Sequence, residues 1–198
     1  DMVLLCEQLQ EDYKNQPEYI PSYAVELAIL TGMRVGEIAA LTWDSISKDG
    51  ILINKSEKYN RKTNTYFIDA TKNKKERLFP MCNEISNLLD KVKKAELQNG
   101  YICEWVFANE DGRVHAPVIS SCIKNKCRQL GIEERGIHAL RKTFNSKIRN
   151  IGVAPTVAAT LLGHSVEVNQ KYYTFDVTSN DEKKEIVSLI NENLPLAK

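Results

Sequence analysis

The sequence predicts an α+β domain, mostly α-helical, that carries one small three-stranded antiparallel sheet. Three observations lead there. Apolar residues recur at helical spacing through most of the chain. Three short β-prone runs, residues 51–53, 65–68 and 77–79, lie close together and are joined by polar, lysine-rich links. A length of 198 residues, with 42% hydrophobic and 27% charged side chains, suits a single ordinary globular core. No apolar run approaches the length that crosses a bilayer, so no membrane span is expected.

In chain order, Leu4, Leu5 and Leu9 give residues 2–14 an amphipathic helical pattern. Pro17 falls in a polar loop over 15–19. Pro21 then opens a second helix near its first position, where its missing N–H costs nothing. Tyr23, Val25, Leu27, Ala28 and Leu30 are its apolar residues, and Thr31-Gly32 ends it. Residues 35–41 form a third helix through Val35, Ile38, Ala39 and Leu41. Arg34 and Glu37 stand three apart, on one helical face, where the carboxylate can orient the guanidinium. The sheet follows, and the link between its last two strands, ATKNKKER, is a hairpin from which Lys72, Lys74 and Lys75 project. Pro80 closes the sheet. Ile85, Leu88, Leu89, Val92 and Leu97 mark a helix that ends at Asn99-Gly100. A short buried run at 105–107 and a turn at 109–112 lead into a helix over 118–130. The next helix, 138–151, carries His138 and Arg141 in its first turn, three apart and facing one way, with Leu140, Phe144 and Ile148 on its buried side. Backbone amides also point outward there, so the pair makes a favourable phosphate site. Pro155 starts a short helix closed by Gly163, which presents His164 at its edge. Residues 181–194 form an amphipathic helix with Ile186, Val187, Leu189 and Ile190 apolar and no evident partner within the fold.

Net charge is +1, but its distribution is uneven. Residues 1–30 hold one base and six acids, residues 48–94 twelve bases and six acids, and residues 113–149 nine bases and two acids. Two basic segments on a nearly neutral chain suggest a face for a polyanion. The five cysteines, Cys6, Cys82, Cys103, Cys122 and Cys127, are odd in number and irregularly spaced, which fits free thiols in a reducing cytoplasm. With three histidines and no CxxC pair, no metal site is expected. The opening DMVLLCEQL has no basic leader or cleavage site, and its non-Met start suggests a fragment of a longer protein.

Arg34, Lys72, His138, Arg141, His164 and Tyr173 form an inventory for attack on a phosphodiester without metal. Two arginines can neutralise the non-bridging oxygens of a pentacovalent phosphorane, where losing one such donor costs about a hundredfold to a thousandfold in rate. A phenol two to three turns after His164 can be the nucleophile. Histidines can take its proton and hydrogen-bond the phosphate, and a lysine can protonate the leaving oxygen, each worth about a hundredfold to ten-thousandfold.

With these motifs the sequence resembles the tyrosine recombinase, or phage integrase, family. TGMRVGEIAALTW is similar to its first arginine box, HALRKTF to its His-x-x-Arg box, LLGHSVEVNQKYYT to its Gly-His and tyrosine box, and TKNKKERLFP to the hairpin that carries its lysine. The resemblance covers about residues 31–174, with the motifs in family order. It implies that Tyr173 rather than Tyr172 is the nucleophile, that Arg34 and Arg141 clamp the phosphate with Glu37 in support, and that His138 and His164 are the paired histidines. Lys72 aligns with the hairpin lysine, beside Lys74 and Lys75 as DNA contacts. Lys142 departs from the family, many of whose members have histidine after the box arginine, and is expected to touch DNA without changing the chemistry. The implied fold is the family's catalytic domain across residues 1–198, with an upstream DNA-binding domain outside this sequence. The implied activity is site-specific recombination of double-stranded DNA through a 3′-phosphotyrosine, with no cofactor, by a homotetramer on DNA in a prokaryotic cytoplasm, for a mobile genetic element. The helix from residue 181 resembles the family segment that docks onto a neighbouring protomer.

Two other readings share some of these features. A type IB topoisomerase-like enzyme would nick and reseal by the same chemistry, but compact motif spacing and the tail helix favour a recombinase. A DNA-binding module with a decayed site is opposed by six candidate residues that are all of competent types.

Overall fold

The computed structural model describes residues 1–71, 76–163, 165, 167 and 184. Its elements run α1 (Met2–Asn15), α2 (Pro21–Thr31), α3 (Val35–Ala39), a 3-10 turn (Trp43–Ser45), β1 (Gly50–Ile53), β2 (Lys55–Asn60), β3 (Thr65–Ala70), β4 (Arg77–Pro80), α4 (Asn83–Asn99), β5 (Ala108–Asn109), β6 (Gly112–Arg113), α5 (Ala116–Gln129), α6 (Ile137–Asn150) and α7 (Pro155–Leu162).

Helix α2 is the axis of the core. Pro21, Tyr23, Ala24, Val25, Leu27, Ala28 and Thr31 are all buried along its 11 residues, because it is apolar around its whole circumference and is covered by α1, α4, α5 and α6. The covering helices are amphipathic. Helix α4 turns Ile85, Leu88, Leu89 and Val92 inward, and α5 turns Ile119, Cys122, Ile123 and Cys127 inward. A buried polar knot fixes α1, α2 and α5 together: Lys126 Nζ lies 2.6 Å from Asp12 Oδ2, which also accepts from the Ser22 hydroxyl at 3.1 Å.

The strands correct the expectation of a single three-stranded sheet. Among the described residues there are two antiparallel ladders, β1 with β4 (Ile51 opposite Phe79, Ile53 opposite Arg77) and β2 with β3 (Glu57 opposite Ile68, Tyr59 opposite Tyr66), besides the small β5–β6 hairpin around the expected turn at 109–112. The additional strand is β2. Its sequence KSEKYN is polar and carries no apolar alternation, and among its six residues only Glu57 is buried. Helix α3 is also shorter than expected: it stops at Ala39, and Leu41 falls outside the helix while still buried in the core.

Two glycines set the geometry near α7. Gly32 ends α2 with φ 61°, and a Cβ there would stand 2.7 Å from Phe144 Cδ1. Gly163 ends α7 with φ 63°, and its Cβ would stand 2.8 Å from Arg77 Nη1. Both positions therefore need the left-handed backbone and the missing side chain that only glycine combines. The result is a close approach of α6, α7 and β4 to the α2–α3 corner.

Candidate active site

The α2–α3 corner is built on Glu37. This residue stands at the third position of α3 and reaches back to the Arg34 backbone amide at 3.0 Å, satisfying one of the first donors that a helix leaves open. Its carboxylate is almost fully buried and receives Arg34 Nη1 on Oε1 at 2.9 Å. Arg77, arriving from β4, closes the other side with both terminal nitrogens, Nη1 to Oε1 at 3.1 Å and Nη2 to Oε2 at 2.7 Å. Burial alone would raise the Glu37 carboxyl. The Arg77 hydrogen bonds and charge, then the Arg34 amide and charge, outweigh burial and hold it below the usual carboxylate range.

The same arginines meet the end of α7, whose last carbonyls have no partner further along the helix. Arg77 Nε donates to Leu161 O at 3.0 Å, Arg141 Nη2 donates to Leu162 O, and Arg34 Nη2 donates to Gly163 O at 3.4 Å. Arg141 also donates Nη1 to Gly32 O at 2.7 Å, so it ties the turn after α2 to the end of α7. Three cations thus sit at the negative end of the α7 dipole, on three consecutive carbonyls.

Helix α6 supplies His138 from its first turn and Arg141 from the start of its second, Gly136 standing at the cap. The two differ in exposure. Arg141 is 1% exposed, whereas His138 lies on the surface. The reason is the depth to which Arg141 reaches between Gly32 and Leu162. Partial burial, followed by the positive charges of Lys142, Arg141 and Arg34, pushes the His138 imidazole below its ordinary range. The shift favours the neutral ring, which can accept one proton or hydrogen bond.

Of the residues expected to form the site, Arg34, Glu37, His138 and Arg141 are brought around the end of α7, with Lys142 exposed one residue beyond Arg141. Lys72, Lys74, Lys75, His164 and Tyr173 lie outside the described residues, as does the expected helix over 181–194 apart from residue 184. Arg77 was not expected. Its only mark in the sequence is the start of a β run, and its partner Glu37 is 40 residues away. Among the described residues, no group of His, Cys, Asp and Glu side chains is placed to hold a metal ion.

A family model described as the phage integrase family matches residues 5–178, a stretch that includes both arginine motifs, His164 and Tyr173. A tyrosine recombinase XerC-like protein of Caldanaerobacter subterraneus subsp. tengcongensis is 29% identical, over 84% of this chain and 48% of its own length. The chain thus spans about half the length of that curated relative. Among solved structures, the Tn1549 transposon integrase in complex with transposon right end DNA superposes with a TM-score of 0.72, at 19% identity, over 85% of this chain and 58% of that one. The XerH site-specific recombinase bound to difH substrate superposes with a TM-score of 0.64, at 15% identity, over 98% of this chain and 53% of that one. At these identities the two structures bear on the fold, which they share with this chain.

Proposed function

The chain belongs to the phage integrase family, and from that premise we propose that it is the catalytic part of a tyrosine site-specific recombinase acting on double-stranded DNA. The observation that carries the reading is the convergence of Arg34 and Arg141, 107 positions apart by their numbers, on the carbonyls of Leu162 and Gly163, next to His164. Chance folding of unrelated surface arginines would not bring them to one helix end.

In the proposed reaction the Tyr173 phenolate oxygen attacks the phosphorus of the scissile phosphodiester. A P–O bond forms to the tyrosine as the bond to the 5′ oxygen breaks, giving a 3′-phosphotyrosine. His138 and His164 accept the phenol proton and hydrogen-bond the phosphate, and Lys72 returns a proton to the leaving 5′ oxygen. Arg34 and Arg141 face the charge that grows on the non-bridging oxygens. Because the covalent bond conserves the phosphodiester energy, a 5′-hydroxyl from a partner strand can reverse the attack and complete exchange through a Holliday junction. Lys74, Lys75 and Lys142 contact the DNA backbone, where each neutralised phosphate steepens the salt dependence of binding. The assembly on DNA is a homotetramer, with the helix from residue 181 docking onto a neighbouring protomer. The setting is a mobile genetic element in a prokaryotic cytoplasm. The DNA-bound relatives of the same fold support the choice of substrate class.

The test is covalent capture. The full-length protein is mixed with nicked suicide DNA bearing the element's own end and run on a denaturing gel beside Tyr173→Phe. A shifted band that requires Tyr173 is the expected result. Absence of the band from protein that demonstrably binds the DNA would sink the reading in favour of a DNA-binding module with a decayed site.

A further inference from the structure

Arg77 has no part in the reaction just described, yet it is the residue through which the two halves of the site are joined. It makes three donor contacts to two partners, Nη1 and Nη2 to the buried Glu37 carboxylate and Nε to Leu161 O, and its Nη1 lies 2.8 Å from where a Cβ on Gly163 would stand. Its own side chain is 8% exposed, and its three nitrogens are each engaged by Glu37 or Leu161. Arg34, by contrast, is 27% exposed at its side chain and is held by Oε1 of the same carboxylate. The chain of contacts Arg34–Glu37–Arg77–Leu161 therefore links an arginine that can reach a phosphate to the helix end that carries His164.

We infer that Arg77 is a positioning residue of the site: it fixes the distance between the Arg34 guanidinium and the end of α7 at Gly163 by holding Glu37 and the α7 terminus at once. The inference rests on the proposed function for its effect on rate, though its geometry stands without it. A planar, forked guanidinium is needed, because two parallel bonds to the carboxylate together with a third, separately directed Nε–H donor cannot come from a lysine ammonium. Lysine keeps the charge beside Glu37 and loses the hold on Leu161.

The test compares the full-length protein with Arg77→Lys, Glu37→Gln and the double variant. On nicked suicide DNA at saturating concentration, Arg77→Lys is expected to cut the single-turnover rate of covalent complex formation by about tenfold to a hundredfold. DNA affinity should stay as in the native protein, since Arg77 is under the surface. The double variant should fall far short of the product of the two single losses, because both act through one link. A folded Arg77→Lys that cleaves at the native rate, a rate loss accounted for by weaker DNA binding, or fully multiplying losses would each overturn the inference. A second measurement needs no DNA: proton–nitrogen spectra of the arginine side chains and the Gly163 amide. Arg77→Lys should shift both the Arg34 Nε–H and Gly163 signals while the core signals stay in place. If those two signals do not move, positioning by Arg77 is wrong whether or not the protein cleaves DNA. If they move in a protein whose native form never forms a covalent complex, positioning holds and the recombinase reading fails.

Discussion

At Gly163 two separate demands fall on one residue, a left-handed backbone at φ 63° and a guanidinium nitrogen 2.8 Å from the place of a Cβ. Gly163→Ala is expected to destabilise the fold by about 1 to 2 kcal/mol through the backbone, with more from displacing Arg77, read as a lower urea midpoint. The neighbouring histidine motif has a test of its own. His138 is held below its ordinary range by burial first and then by Lys142, Arg141 and Arg34. Lys142→Gln removes one of those charges and should move the His138 titration upward in ring-proton spectra; a titration that stays put would show that the lysine charge does not act on the ring. The sign for stability follows. A histidine whose folded pKa is depressed lets the unfolded chain take up protons first, so His138 withdraws stability only as the pH falls through the ordinary histidine value. Arg34 and Glu37 were legible at this scale because residues three apart on a helix are neighbours by geometry. Arg77 was not, since nothing in RLFP marks an arginine whose carboxylate lies on another element.

Among the elements, helices were legible and the second ladder was not. The amphipathic patterns of α4, α5 and α6 follow from the burial of one face, so the residues read as apolar faces at Ile85, Leu88, Leu140 and Ile148 are the buried ones. Strand β2 escapes the same logic. It runs along α3 with a glutamate as its buried residue, and Glu57 is satisfied there by Arg113 at 3.1 Å, His115 at 2.6 Å and the Ala116 amide at 2.8 Å. An inward-facing acid is invisible to any argument from hydrophobic alternation. Between α1 and α5, the Asp12–Lys126 pair is nearly as deep, with side chains 9% and 8% exposed. Breaking it on one side should be costly: Asp12→Ala leaves a buried ammonium without its counter-charge and is expected to lower stability by about 3 to 5 kcal/mol. Replacing both partners with apolar residues of similar volume should restore most of that loss, as measured by chemical denaturation.

For the whole molecule, the pH profile of stability has an identifiable contributor. Burial raises the Glu96 carboxyl to about 7 against the opposing Ala108 amide and Trp43 indole. Its folded pKa exceeds the ordinary value of 4.5, so the folded state keeps a proton the unfolded chain has lost, and stability falls as pH rises between those values. Glu96→Gln keeps an acceptor for the Ala108 amide and should flatten that slope, raising stability at pH 8 by about 1 to 2 kcal/mol; an unchanged slope would remove Glu96 as its source. The fold class and the order of the motifs could be read from the chain, because each motif is local. Their meeting point could not, because it depends on the packing of α2, α6 and α7. That meeting point has a consequence for how the protein is made. Arg34 leaves the ribosome long before residues 161–163, and until those carbonyls arrive the two box arginines have no common anchor.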